Sequence, residues 1–252
     1  LEESATNALS EEVTHESLNY LLLSIFDAQR RWGTVERLRD AGGGAQKVQL
    51  EAVVAAVGDC LGAAAHFSAV LVDYVRDRSG ARRDTVERYG ASYRVRRGID
   101  FERPEYRSVR DAGDHLASGL RLLAARLNDL TVPQVVRAPY RRERLEAELR
   151  RVARAASNAP DLIYSTLADS RGESWIAIAD LSFHDDAWAW GLRQVPLNVS
   201  LELAALWDEL EAVALTSATL RVADEWGHLV GRLGLGAVQT LALPEAFTDL
   251  QR

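Results

Sequence analysis

Leu50-Glu-Ala-Val-Val-Ala-Ala-Val-Gly-Asp-Cys60-Leu-Gly-Ala-Ala-Ala-His-Phe-Ser-Ala-Val-Leu71-Val-Asp-Tyr-Val75 is the stretch that decides the fold. Leu50, Val54, Val57, Leu61, Ala64, Leu71 and Val75 recur at alternating four- and three-residue steps, with Ser68 the exception. An apolar seam sustained this long predicts a helix over about 45–77, packed lengthwise on another helix. Cys60 and His66 flank the seam. No second Cys or His stands nearby to complete a metal site, so both read as structural.

Working outward, helical patterns continue on both sides. Upstream, Leu18, Leu21, Leu22, Ile25, Trp32, Val35 and Leu38 recur at helical steps from Ser17, and Gly42-Gly43-Gly44 ends the run. That glycine run lacks the Gly-Lys-Ser/Thr of a phosphate loop and reads as a hinge. Downstream, Ser79-Gly80 stops the long helix. Residues 91–97 then read as a strand, and Val109, Leu116, Leu120, Leu123, Leu127 and Leu130 mark a helix over 106–130. A fourth helix begins near Tyr140 and reaches about Leu167, with Pro160 expected to kink or restart it. Residues 17–130 are thus expected to form an antiparallel helical bundle.

After Gly172 the period changes from helix to strand. Residues 175–179 and 188–195 read as a β-pair, with His184, Asp185 and Asp186 at its turn. A short helix over 201–207 comes next. Ala212-Val-Ala-Leu215 then runs apolar without alternation, as a strand buried on both faces does. Thr216, Ser217 and Thr219 place hydroxyls at its carboxyl end, where open α/β sheets hold ligands. A helix over 222–233 and a strand over 238–243 complete the pattern.

Val213-Ala-Leu-Thr-Ser-Ala-Thr-Leu220 resembles motif III of superfamily-two helicases in its DinG-like and XPD-like form. Gly191-Leu-Arg-Gln-Val-Pro-Leu-Asn-Val-Ser200 resembles the segment upstream of that motif. Leu1-Glu-Glu-Ser-Ala-Thr-Asn-Ala-Leu-Ser10 resembles the segment just after the family's Asp-Glu-Ala-His box. The resemblance covers about 1–20 and 172–235. It implies a fold that is mainly α with a small α/β part: a helical arch bundle inserted into a RecA-like motor domain, with only that domain's returning strands present. Residues 1–16 would be the exit from the motor domain, 17–170 the arch, and 171–252 the returning segment with motif III. Thr216, Ser217 and Thr219 would couple nucleotide state to the DNA groove rather than catalyse. ATP and Mg would be bound by the full-length parent and not by this fragment, and any iron–sulfur cluster would lie outside it. Single-stranded DNA and the other motor domains of the same polypeptide are the implied partners.

Composition sets further expectations. The chain begins at Leu1 and holds no methionine, which predicts a piece of something longer. No apolar run reaches the roughly 20 residues of a membrane span, so no membrane partner is expected. The lone Cys60 excludes a disulfide framework or a four-cysteine cluster within these residues, and a reducing cytoplasm is the expected compartment. Net charge is −7, unlike a nucleic-acid binder overall. Its distribution is uneven. Residues 82–110 hold nine arginines against five acids and residues 137–154 seven against three, a local footprint that attracts phosphate. Tyr93, Arg94, Arg96 and Arg97 interleave ring and guanidinium groups, and Arg141 and Arg142 open the second basic stretch; together these are the candidate DNA contacts. The alternative is a helical-bundle interaction module whose arginine face binds an acidic protein partner. A ligand-binding bundle would need convergent polar residues that the sequence does not display.

Overall fold

A computed structural model describes residues 10–42, 46–80, 83–134, 136, 138–171, 174–184, 186–212, 214, 226–236 and 238–240. Two compact units divide the chain, Ser10–Val195 and a smaller one holding the described residues from Pro196 onward. The larger unit is mainly helical with one small antiparallel sheet. Its limits hold the strands together with the helices.

The larger unit starts with β1 (Glu11–Thr14), α1 (His15–Ile25) and α2 (Thr34–Asp40). Thr14 accepts from the Ser17 amide while the Ser17 hydroxyl faces the Thr14 backbone, a reciprocal cap that starts α1 directly after the strand. The single helix expected from Ser17 to Leu38 is broken by a tight loop. The Asp27 carboxylate accepts the amides of Gln29 and Arg30, at 2.9 and 3.0 Å, and Asp27 and Trp32 pair through their backbones. Asp competes with helical bonding in this way. Gly33 sits at φ 127°, where a Cβ would come within 2.5 Å of the Ile25 carbonyl oxygen, so only glycine closes the loop.

The Leu50–Val75 stretch lies in α3 (Lys47–Ser79), ended by Gly80 in the left-handed region at φ 63°. This helix runs antiparallel to α6 (Pro104–Asn128): Arg126 reaches the Ala52 carbonyl near one end, and Tyr74 packs on Tyr106 near the other. The seam exists, with three of its places shifted by one residue. Leu50, Val57, Ala64, Leu71 and Val75 are buried as expected, but Val53, Cys60 and Phe67 are buried where Val54, Leu61 and Ser68 would fall, and Tyr74 is buried beside Val75. The reason lies in the partner helix. Gly119 of α6 leaves a notch that Cys60 occupies, 3.3 Å from where a Cβ would stand, and at Gly113 the space is taken by Leu167, with Phe67 alongside at 3.4 Å. Ser68 is therefore no gap, and Val54 and Leu61 turn instead toward α1. Burial pushes the Cys60 thiol up to about 11, with the Asp59 charge adding to it. Among the described residues α3 is also the one helix long and apolar enough to cross a membrane, which the residue pattern did not lead one to expect. Its apolar stripe is the core of the bundle.

Between these helices lie α4 (Arg83–Tyr89), β2 (Ala91–Arg94) and α5 (Arg97–Asp100). The strand expected over 91–97 ends at Arg94 because Asp100 draws the chain into a turn. The third layer, α7 (Pro139–Leu167), runs unbroken through Pro160, which is buried inside it. Tyr106 donates to the Leu167 carbonyl at 2.6 Å, joining the start of α6 to the end of α7.

The hairpin β3 (Trp175–His184) and β4 (Ala187–Pro196) forms the centre of a four-stranded sheet in the order β1-β4-β3-β2. Val13 pairs with Leu192 on one edge and Tyr93 with Ala179 on the other. Ala177, Ala179, Leu181, Trp190 and Leu192 face the helices and are buried, and the Trp190 ring meets Phe67 edge-on at 5.0 Å. β1 was not expected. Glu11-Glu-Val-Thr14 offers one apolar residue, too few for a period-2 signal.

In the second unit α8 (Ser200–Asp208) and α9 (Gly227–Arg232) bury Val199, Leu203 and Leu233 together. The Trp207 indole donates to the Leu233 carbonyl at 2.6 Å. Ala212 and Ala214 are exposed and outside any strand. A doubly buried strand needs a ladder on each side, and among the described residues none reaches these two. Residues 238–240 likewise form no strand.

Candidate nucleic-acid interface

The two basic stretches lie at opposite ends of the bundle. β2 and α5 lead directly into the start of α6, which is tied to the end of α7. Arg141 and Arg142, in the first turn of α7, therefore sit at the far end, separated by a helix about 37 Å long at 1.5 Å per residue. One continuous face joining the two sets is not what the fold builds.

At the near end the expected residues are drawn into a structural cluster. Asp100 is fully buried. Its Oδ1 accepts from the Tyr74 and Tyr93 hydroxyls at 2.5 and 2.6 Å, and its Oδ2 accepts the Arg96 amide at 2.7 Å. Burial, reinforced by the hydrogen bond to Asp100, holds the Tyr74 hydroxyl far above the ordinary tyrosine pKa. Burial does the same to Tyr106. The Tyr93 ring meets Tyr74 edge-on at 5.8 Å, and the Arg78 guanidinium lies against the Tyr93 hydroxyl. Tyr93 is thus committed to joining α3, β2 and α5, and is not free to stack on a base. Arg94 is exposed on the sheet face away from the helices, opposite Ile178 in register. The Arg96 side chain is exposed. Arg97 opens α5, and its side chain lies outside the described residues.

At the far end Arg141 and Arg142 are both exposed. Arg142 pairs with Glu146 at 2.9 Å, and Arg150 approaches the same carboxylate at 3.8 Å. Glu148 is anchored differently, accepting from Thr34 at 2.7 Å and from Arg37. Arg37 in turn covers one face of the Trp32 ring, 4.8 Å from its centroid. Arg144, Arg151 and Arg154 are exposed and enter no ion pair among the described residues. Helical spacing alone would pair Arg144 and Arg151 with Glu148, which stands four residues after the first and three before the second, so their freedom was not legible in the sequence. Trp32 carried no signal either, because its exposure comes from a loop that the periodicity hid.

Thr216, Ser217 and Thr219 lie outside the described residues, as does Asp185. His184 and Asp186 are exposed at the β3–β4 tip, where Asp186 takes a positive φ of 61°. Among the described residues no three His, Cys, Asp or Glu side chains gather as a metal site. The chain matches no family model and no curated protein sequence.

Proposed function

We propose that the chain is part of an ATP-dependent DNA helicase of the DinG-like and XPD-like kind, running from just beyond the acidic box through an arch domain to motif III. The observation that carries the reading, beside the three motif resemblances, is the pairing of β1 with β4. The chain enters the helical unit on one strand and leaves it on the adjacent antiparallel strand, an arrangement that lets a domain be inserted into another. In this reading the RecA-like motor around the insertion, ATP, Mg and any iron–sulfur cluster belong to the parent polypeptide. The arch contacts single-stranded DNA, and Ser217 and Thr219, with Thr216 beside them, relay nucleotide state to strand separation.

The test is Ser217→Ala with Thr219→Ala in the full-length parent. Two hydrogen bonds formed only in the coupled state are worth roughly 1–3 kcal/mol, so unwinding should slow about ten- to a hundredfold while DNA-stimulated ATP hydrolysis stays near wild type. Equal loss of both activities, or of neither, sinks the coupling role. The second reading, a bundle that binds an acidic protein, is favoured by the α7 arginines that enter no ion pair among the described residues. Oligonucleotide binding measured against polyglutamate binding separates the two.

A further inference from the structure

We infer that α7 carries a track for the backbone of single-stranded nucleic acid and that Trp32, in the loop between α1 and α2, is the stacking platform beside it. The inference rests on the DNA-binding reading and names its surface. Relative to Glu148, Arg141 stands seven residues before, Arg144 four before and Arg151 three after, so all three share one flank of the helix. Arg154 follows Arg151 by three residues and carries the row further round the exposed side of the helix. From Arg141 to Arg154 the ridge spans about 20 Å, the reach of several nucleotides of an extended strand.

The acids of this stretch are off the ridge or engaged. Glu146 holds Arg142 and Arg150, Glu148 is held by Thr34 and Arg37, and Glu143 lies about a quarter-turn from Arg144. Next to the ridge, Leu145, Leu149, Val152 and Ala156 form the buried face of the helix, so the helix cannot rotate to hide its arginines. Four guanidinium groups without ion-pair partners among the described residues are the complement of a phosphate chain.

The aromatic component is tied to the same helix. Trp32 is 46% exposed, and the Arg37 that covers one face of its ring also binds Glu148. Its loop is rigid: the Asp27 backbone pairs with Trp32, and the Asp27 carboxylate holds two further amides. Tyr20, Leu23, Val54 and Leu61 continue from Trp32 as an open groove of about 910 Å³ between α1 and α3. Arginines along a backbone track with an exposed indole next to them form the arrangement that holds single strands: guanidinium to phosphate, ring to base. An acidic segment without apolar side chains would use the arginines and leave the indole without a role.

The experiment is fluorescence anisotropy of a labelled oligodeoxythymidine of about 20 nucleotides with the intact 252-residue chain. Binding should weaken with salt at a log–log slope of about −2 to −3, the value for three or four phosphates on a single strand. Arg144→Glu with Arg151→Glu and Arg154→Glu should weaken binding at least tenfold and flatten that slope by about 2, with the helical signal unchanged. Trp32→Ala should cost roughly tenfold, and Trp32→Phe should restore most of it. Arg94→Glu with Arg96→Glu should bind as wild type does. Wild-type affinity in the ridge variant, or loss confined to the Arg94 and Arg96 variant, overturns the track while leaving DNA binding intact. Polyglutamate bound as tightly as the oligonucleotide, with Trp32→Ala affecting neither, replaces it with the acidic-protein reading. No oligonucleotide binding by the wild-type chain removes the DNA-binding reading and the track with it.

Discussion

Residues 82–110 and 137–154 carry the same net charge, nine minus five and seven minus three, and the fold uses them in opposite ways. In the first stretch a buried carboxylate organises its surroundings: Asp100 gathers two tyrosine hydroxyls and the Arg96 amide. In the second, the least exposed carboxylate that is paired, Glu148, engages α2, a neighbouring element, and leaves Arg144 and Arg151 of its own helix facing outward. A count of charges in sequence does not say which are available. The position of the acids does, because a buried acid must be satisfied by whatever donors lie near it.

The largest effect is expected at Asp100. Asp100→Ala leaves the Tyr74 and Tyr93 hydroxyls and one amide without their acceptor in a buried site, and should cost about 3 kcal/mol of stability by urea unfolding. A cost below about 1 kcal/mol would break the claim that the first stretch is structural. Glu148→Ala comes next, at roughly 2 kcal/mol, because it removes the acceptor of both Thr34 and Arg37 in a half-buried setting. Single-strand affinity should rise or hold in that variant, since an acid beside the ridge is gone, and a fall would place Glu148 itself among the contacts. Tyr93→Phe removes the hydroxyl that donates to Asp100 and meets Arg78 but keeps the ring, so about 1–2 kcal/mol is expected. Its oligonucleotide affinity should match wild type, and a loss would return Tyr93 to the binding surface. Arg142→Ala is the smallest, under about 0.5 kcal/mol for an exposed pair four residues apart on a helix. Raising the salt concentration should erase even that difference.

What the sequence determined by itself was the helical architecture. The seam of α3, the apolar period of α6 and the change to period two near residue 175 are each local patterns, and burying them leaves one solution: long helices packed lengthwise beside a small sheet. Its basic stretches were equally visible as composition. Tertiary structure alone decided three other things. Close fit against α6 shifted three places of the α3 seam by one residue, because packing selects side chains by fit and not by hydrophobicity alone. Glu11–Thr14 became a strand because β4 offered a ladder edge to a segment with almost no pattern of its own. Tyr93 went to the interior because Asp100 and the distant Tyr74 met it there, and Arg144 and Arg151 stayed at the surface because Thr34 and Arg37, far away in sequence, took Glu148 from them. Periodicity records how an element is buried; which polar side chains remain free depends on the donors and acceptors that neighbouring elements bring to it.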